Sequence, residues 1–168
     1  PHTKEGGYFA LAGGQVQAHF KGRVFGTLFQ PQVRRGGHIV CHEAFLRELT
    51  PDGEGLSTQM LFEQSPEHEL LQLDRMAHDL HALNFVLQHG QQNSFLALNF
   101  SPESLLALQG DEGKVFDPVL SSCGLKAERV VLEMIDTGFG DCAEVAAAIA
   151  RYRTKGYQVA LDNFGRYS

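Results

Sequence analysis

Four short apolar runs along the chain each lead to an oxygen-bearing side chain. The four side chains are Glu43, Asn99, Glu133 and Asp162, and the runs before them are rich in Val, Ile, Leu and Ala. Short continuous apolar runs are typical of strands buried on both faces of a parallel sheet. Because neighbouring parallel strands end at the same edge, the pattern predicts that the four polar groups line one rim.

Longer stretches between these runs have helical spacing. Apolar residues recur at intervals of three and four over residues 73–87, which predicts a helix that Ser65 caps and Gly90 ends in a left-handed conformation. His78 and His81 fall on the outer part of this helix, where a solvated face is expected. Further helices are predicted after Ser101-Pro102-Glu103, over residues 115–122, and from an Asp141 and Glu144 capping box to Gly156.

A hairpin is predicted before the first helix. Residues 24–29 form a strand that Gln30-Pro31 stops, and the turn Arg35-Gly36-Gly37 leads into a second strand over residues 39–46. The glycine-rich start predicts an appendage or short hairpin over residues 1–23, followed by one domain over residues 24–168. Strands separated by helices form parallel βαβ units, so the fold class is α/β, an open twisted sheet or a barrel.

Composition limits the classes of protein. The 168 residues suffice for one well-cored domain, and no apolar stretch approaches the roughly 18 residues of a membrane span. The three cysteines have no metal or redox spacing, which favours a reducing cytoplasm, and Cys41 is expected to pack as a small hydrophobe. A net charge of −6 argues against a duplex nucleic-acid partner.

The four polar side chains offer only oxygen ligands. Oxygen suits Mg²⁺ or Mn²⁺ and suits zinc or copper less well. Arg47 lies four residues after Glu43, so in an extended strand its guanidinium points to the same face and can grip a phosphate. A divalent cation beside an arginine favours phosphoester chemistry. His38 and His42 have no role in an oxygen-rich site, so packing or exposure is expected for them.

Five segments together make a family resemblance. They are Phe29-Gln30-Pro31, residues 42–47 (His-Glu-Ala-Phe-Leu-Arg), residues 98–101 (Leu-Asn-Phe-Ser), residues 132–136 (Leu-Glu-Met-Ile-Asp) and residues 161–165 (Leu-Asp-Asn-Phe-Gly). In order and spacing they resemble the EAL domain family of bacterial cyclic diguanylate phosphodiesterases. That family has a modified TIM barrel, so the resemblance implies a mostly parallel sheet whose first strand is antiparallel.

The resemblance also implies roles for residues. It makes Glu43, Asn99, Glu133 and Asp162 metal ligands, with Mg²⁺ or Mn²⁺ as the cofactor. It implies that Arg47, with nearby Leu46, binds cyclic diguanylate and that Gln30 lies near this ligand. The family reaction is metal-assisted attack of water on a phosphodiester. No catalytic residue is assigned beyond these.

The chain also departs from the family pattern. Phe45 replaces the leucine of the name-giving motif, Asp136 stands where glutamate is usual, and Arg166-Tyr167-Ser168 replaces a threonine-glycine loop. Asn163 replaces the second aspartate of a DDFG motif, which is expected to weaken a second cation site. These changes indicate a partly degenerate member.

The sequence stops after the fifth predicted strand of the domain, whereas a barrel of this kind needs about eight. An incomplete, truncated barrel is therefore expected, with an exposed edge. The N-terminal segment, a second copy or further sequence could cover that edge, and self-association or a protein partner is favoured.

Three functions remain open. The leading one is a degenerate member that binds the dinucleotide or a protein. The second is an active phosphodiesterase completed by missing sequence or by a second chain. The third is an interaction module that binds no nucleotide.

Overall fold

The computed structural model describes residues 7–53, 55–100, 117–135 and 142–162. Within these ranges seven strands form one sheet whose spatial order follows the sequence. The pairs from the first strand to the fourth are antiparallel, and the pairs from the fourth to the seventh are parallel. The strands are β1 (Tyr8–Ala12), β2 (Gln15–Phe20), β3 (Arg23–Val33), β4 (Ile39–Glu48), β5 (Phe95–Phe100), β6 (Val130–Ile135) and β7 (Gln158–Asp162).

Helices connect the parallel strands. In the part of the chain that the structure describes they are α1 (Thr58–Gln64), α2 (Glu67–His89), α3 (Asp117–Cys123) and α4 (Cys142–Thr154). The longest is α2, which packs against β2, β3, β4 and β5 on one face of the sheet. None of these helices combines the length and hydropathy needed to cross a bilayer.

The predicted fold class is confirmed. From Arg23 onward the sheet is mostly parallel, with β3 as its antiparallel first strand. Over the described ranges the sheet is open, with β1 and β7 as its two edges. The β1–β2 hairpin extends the sheet beside β3, so it lies at the edge opposite β7. The division into residues 1–23 and 24–168 stays a prediction.

The predicted stop at Gln30-Pro31 is wrong, because β3 continues through Pro31 to Val33. Proline lacks the backbone N–H that an interior strand needs for its ladder. Among the residues that the structure describes, β2 pairs only with Arg23 to Phe25 of β3, so at Pro31, which lies opposite His42, the one partner of β3 is β4. The missing N–H therefore removes no bond to β2. The predicted turn at Gly36 and Gly37 is present, with φ of 112° and 83°.

Both predicted ends of α2 differ in detail. Ser65 does not cap the helix, because its hydroxyl donates to the carbonyl of Leu61 at 2.6 Å and Pro66 occupies the N-cap. The sequence pattern missed α1, whose last turn takes that serine. Gly90 ends α2 with φ −56°, which is right-handed and not left-handed as predicted. Glycine is required there by space, since a Cβ would lie 2.4 Å from the carbonyl oxygen of Val86.

Two of the other predicted helices are present as α3 and α4. Gly124 follows α3 with φ +75°, as befits a helix-ending glycine. The helix predicted after Ser101 lies outside the described residues, and so does Asp141 of the predicted capping box.

The core divides into two clusters on the α2 side of the sheet. One joins β2, β3 and β4 to α1 and α2 and includes Phe25, Leu46 and Leu61. The other joins β5 and β6 to α2, α3 and α4 and includes Phe85 and Leu132. Burial of this apolar face leaves the opposite face of the parallel strands for polar residues.

The prediction that His78 and His81 are solvated is wrong, because each is only 4% exposed. They belong to a polar stripe on α2 that faces the sheet, together with Asp74 and Asn84. The spacing in the sequence did not predict that these polar residues are buried, because they recur at the same intervals of three and four as the apolar residues beside them. Its members find partners: Nδ1 of His81 lies 2.8 Å from the hydroxyl of Thr27. Hydrogen bonding offsets the cost of burying polar groups.

Arg129 ties the N-terminal ends of the parallel strands to the end of α2. Its guanidinium donates to the carbonyl oxygens of Gly90, Gln92 and Ser94 at 2.7 to 3.1 Å. The same group lies over the ring of Phe85, 5.2 Å from its centroid. The planar guanidinium therefore supplies hydrogen bonds to three loop carbonyl oxygens that lie outside the ladder of the sheet.

Candidate metal and dinucleotide site

Strand register places the four predicted ligands on one face of the sheet. Asn99 on β5 is paired directly with Glu133 on β6. Glu43 is paired with Ala97, two residues before Asn99, and side chains two apart in a strand share a face. Asp162 is paired with Ile135, two residues after Glu133. The four residues thus form a diagonal row with one member on each of four neighbouring strands, on the face opposite α2.

Two hydrogen bonds organise this face. Nδ2 of Asn99 donates to Oε1 of Glu43 at 3.1 Å. Nε2 of Gln32, on β3, donates to Oε1 of Glu133 on β6 at 3.3 Å. Both acidic side chains are held by neutral donors, and neither bond involves a cationic side chain.

The position of Glu43 differs from the expected strand end. It lies in the middle of β4, which continues to Glu48. The rim therefore forms because β4 is staggered against β5, with Glu43 level with Ala97 and not with Asn99. In a sheet that curls toward a barrel such a stagger is expected.

Electrostatics at this face favour a cation. Glu133 is 9% exposed, and burial raises the pKa of its carboxyl above the ordinary value. The charge of Glu43 raises that pKa further, the hydrogen bond from Gln32 acts in the opposite direction, and the charge of Asp162 again raises it. Mutual repulsion of carboxylates in a partly buried site is relieved by a bound divalent cation.

The donor set suits a hard cation, since it consists of three carboxylates and one amide oxygen. Among the described residues, however, no three His, Cys, Asp or Glu side chains converge closely enough to hold a metal ion as they stand. The two hydrogen bonds use Oε1 of Glu43 and Oε1 of Glu133, so Oε2 of each carboxylate can face a cation once the side chains turn toward a common centre. The assignment of the four residues as ligands stays a prediction.

Arg47 and Gln30 lie on the same face as the row, and both are exposed. Gln30 is paired directly with Glu43. Arg47 lies four residues after Glu43 on β4, so its side chain is on the same face. Leu46 points the other way, because its side chain is 2% exposed in the core cluster with Phe25. Its predicted contact with the dinucleotide, like those of Arg47 and Gln30, stays untested. For Leu46 such a contact is restricted to the main chain.

One further residue on this face, Gln32, was missed from the sequence, and its neighbour Cys41 was predicted only to pack. Gln32 bonds to Glu133, and the signal for it was its two-residue spacing from Gln30 within a strand. Cys41 lies opposite Gln32 and is 6% exposed, so its predicted packing as a small hydrophobe is confirmed. Burial, followed by the charge of Glu133, raises the pKa of its thiol to about 11. A neutral thiol is a poor nucleophile and ligand.

The remaining predicted histidines have structural positions. His42 is buried on the α2 side of β4, where its ring stacks on that of His89 with centroids 3.9 Å apart. His38 is exposed in the turn before β4. Both outcomes agree with the prediction of packing or exposure.

Asn163, whose replacement of an aspartate was expected to weaken a second cation site, lies outside the described residues. The other departures at Asp136 and at residues 166–168 lie outside them as well. Phe45 is within β4, on the same face as Glu43 and paired with Leu28.

Comparison with known proteins identifies the family. The EAL domain family model matches residues 14–168, so the chain belongs to the EAL domain family. No curated protein sequence is similar enough to the chain to count as a match.

Several solved structures share the fold of this chain. A Bacillus subtilis protein with an EAL domain, YkuI, in complex with c-di-GMP and calcium, has a TM-score of 0.71 at 23% identity, covering 84% of this chain and 36% of its own. The Klebsiella pneumoniae protein BlrP1, in a calcium and c-di-GMP complex, has a TM-score of 0.73 at 21% identity, covering 96% and 39%. A standalone EAL protein from Vibrio cholerae, bound to c-di-GMP, has a TM-score of 0.68 at 22% identity, covering 84% and 57%.

These likenesses show the fold. The chain spans between 36% and 57% of the length of the three chains it is compared with.

Proposed function

We propose that this chain acts in cyclic diguanylate signalling as an EAL domain that binds the dinucleotide with a divalent cation, and that it is a degenerate member whose main role is binding. The observation that carries the proposal is the diagonal row of Glu43, Asn99, Glu133 and Asp162 on one face of the sheet. Three carboxylates gathered on one face of a sheet repel one another, and a bound divalent cation would relieve that repulsion.

The row supports a site for Mg²⁺ or Mn²⁺, and the exposed Arg47 and Gln30 on the same face support contacts to phosphate and base. A guanidinium can hold a phosphate by two parallel hydrogen bonds. When bound, a divalent cation neutralises phosphoryl charge and lowers the pKa of its water. Glu43 and Glu133 would hold the cation, while Asn99 would offer it a neutral oxygen.

Degeneracy is the finer part of the proposal. Asn163 supplies a neutral amide where the family has a carboxylate, and fewer carboxylates lower the affinity for a second hard cation. The rival function is an active phosphodiesterase, and one observation favours it: the row itself keeps all four oxygen donors. In that case further sequence or a second chain completes the barrel.

Calorimetric titration with cyclic diguanylate tests the proposal. We expect binding in the presence of Mg²⁺ or Mn²⁺ and a clear loss of affinity after chelation. The isosteric variant Glu43→Gln should weaken binding, whereas Glu63→Gln, at an exposed position on α1, should not. If the dinucleotide fails to bind with either cation, the third function, an interaction module without nucleotide binding, takes its place.

Product analysis separates the binding protein from the enzyme. Chromatography of cyclic diguanylate after incubation with the protein and Mn²⁺ should show the cyclic form intact at times that exceed many binding lifetimes. A linear dinucleotide that appears with the wild-type protein and not with Glu43→Gln would establish turnover and end the degenerate assignment.

Self-association or a protein partner belongs to the same proposal. In the described sheet β7 is an edge strand, and Leu161 on it is 47% exposed. Such an edge invites pairing with another chain. Light scattering over micromolar concentrations should show a dimer or larger species, and a monomer throughout would contradict it. A cytoplasmic location is also proposed, since Cys41 and Cys123 are free thiols.

A further inference from the structure

The buried imidazole of His78 reaches from the helix side of the sheet to the main chain of Asn99. Its Nε2 lies 3.0 Å from the carbonyl oxygen of Asn99. Its ring stacks on the ring of Phe100, the next residue of β5, with centroids 4.0 Å apart and planes 18° from parallel. The side chain is held at two points against the end of β5, and only 4% of the residue is exposed.

The chemistry of this contact fixes the state of the ring. A carbonyl oxygen can only accept a hydrogen bond, so Nε2 must carry a proton and donate it. Oδ1 of Asp74, one helical turn earlier, lies 3.6 Å from the same nitrogen. A carboxylate beside the donor favours the proton on that nitrogen and keeps the ring in its plane.

Asn99 needs such support because of where it lies. The last residue of β5 that is paired with β4 is Leu98, so Asn99 is one residue beyond that ladder. On the opposite face its Nδ2 donates to Glu43. The residue is therefore fixed from both faces of the sheet, with its main chain held by His78 and its side chain held by Glu43.

This arrangement also orients the amide. Because Nδ2 is committed to Glu43, Oδ1 is the amide atom that remains to accept a contact on that face. A small rotation of the main chain at the end of β5 would change the direction of the Asn99 side chain relative to Glu133, the residue paired with it. Groups that orient a ligand commonly matter nearly as much as the ligand itself.

We propose that His78 is a positioning residue, which holds the main chain of Asn99 so that the amide oxygen faces the proposed cation site. The expected effect on cation affinity rests on the proposed function. The contact between His78 and Asn99 does not. His81 provides a matched control. It is equally buried on the same helix, but its partner is Thr27 on β3, whose side chain points away from the site.

The variants separate the hydrogen bond from packing. His78→Phe keeps an aromatic ring against Phe100 but has no donor, whereas His78→Gln keeps an N–H donor. With Mn²⁺ as the probe and electron paramagnetic resonance reporting the free ion, His78→Phe should bind about 10- to 100-fold more weakly than wild type. His78→Gln should recover most of the affinity, and His81→Gln should leave it unchanged. Equal affinity for His78→Phe and wild type would overturn the proposal, as would an equal loss in His81→Gln.

A second measurement needs no cation. Nitrogen-15 NMR of the wild-type imidazole should show the proton of His78 on Nε2, and its presence on Nδ1 alone would overturn the proposal even if His78→Phe does not fold. The carbon-13 and side-chain amide chemical shifts of Asn99 should differ from those of wild type in His78→Phe and should be unchanged in His81→Gln. If wild type binds no Mn²⁺, the proposed function fails, and these shifts decide the positioning role by themselves.

Discussion

Gln32 on β3 donates a hydrogen bond to Glu133 on β6 over 3.3 Å, although two strands lie between them. In a flat sheet these strands would be about 14 Å apart, three spacings of roughly 4.8 Å. Side chains that stand upright on such a sheet could not meet. The bond therefore shows that the sheet is strongly curled, with the polar row on its concave face, as a barrel wall requires.

Removing the buried charge from this concave face should stabilise the protein without a cation. Glu133→Gln keeps the shape of the side chain but relieves the repulsion from Glu43 and the cost of burying a carboxylate. We expect its thermal midpoint to exceed that of wild type by several degrees when metal is chelated, for a gain of about 1–2 kcal/mol. Differential scanning calorimetry with EDTA measures this.

Addition of Mn²⁺ should reverse the order, because wild type gains stability from the ion and Glu133→Gln gains little. Glu63→Gln, exposed on α1, serves as the control and should follow wild type in both conditions. If the thermal midpoint of wild type does not change in millimolar Mn²⁺, the row of Glu43, Asn99, Glu133 and Asp162 does not bind the cation.

Arg129 should be among the residues most important for stability. Arg129→Met removes the donors to Gly90, Gln92 and Ser94 and leaves their carbonyl oxygens without that partner. We expect a loss of about 3 kcal/mol in the free energy of unfolding, since hydrogen bonds to charged groups contribute more than neutral ones. Urea unfolding followed by circular dichroism gives this value.

Lysine should rescue Arg129 only in part, because an ammonium cannot reach three carbonyls with a planar fork. Arg153→Met, at an exposed position on α4, is the matched control and should change stability by less than about 0.5 kcal/mol. A similar loss at both positions would mean that the carbonyl contacts contribute little.

The sequence pattern predicted the parallel strands and the shared face of the four polar residues well, because both depend on local periodicity. A run such as residues 95–98 is apolar over its whole length, and the polar residue after it had to face the rim or water. Asn99 and Glu133 were found in this way, and register then placed them side by side.

The misses have a common physical cause. The burial of His78 and His81 depends on partners far away in sequence, Asn99 and Thr27, that periodicity does not reveal. Pro31 stands within a strand because β2 is short, which is a property of the neighbour and not of the proline. Gln32 joins the site only because the sheet curls. Each miss was a tertiary contact that outweighed a local preference.

His81 should make the protein sensitive to acid. Burial, followed by the charge of His78, lowers the pKa of His81 to about 3. The unfolded chain takes up this proton near pH 6.5, whereas the folded chain does not. The contribution of His81 to the free energy of unfolding is therefore complete above that pH and decreases as the pH falls toward 3. The expected slope from this one group is up to about 1.4 kcal/mol per pH unit.

Urea unfolding of wild type and His81→Gln at pH values from 7 to 4 tests this effect. The stability difference between the two proteins should shrink as the pH falls, because only wild type carries the titrating imidazole. Burial also lowers the pKa of His42 and of His89, but both proteins share that contribution. His38→Gln, at an exposed turn, is the control variant. If the curve for His81→Gln is parallel to that of wild type, the folded protein does not hold a buried neutral ring at His81.

Asn84 should hold the N-terminal hairpin to α2. Its side chain is fully buried and mimics a strand neighbour, accepting from the N–H of Val16 at 2.7 Å and donating to the carbonyl oxygen of Val16 at 2.8 Å. It also lies 3.2 Å from the hydroxyl of Thr27. Asn84→Ala leaves these partly buried groups without that partner, which costs about 2–3 kcal/mol for the pair of main-chain groups.

Hydrogen exchange locates that loss. In Asn84→Ala the amides of β1 and β2 should exchange faster than in wild type, while those of β5 and β6 should change much less, since the hairpin can loosen as a unit. Asn93→Ala, exposed in the loop before β5, should leave both sets unchanged. If all strands lose protection together in Asn84→Ala, the hairpin is an integral part of the domain, and the boundary predicted at residue 23 is wrong.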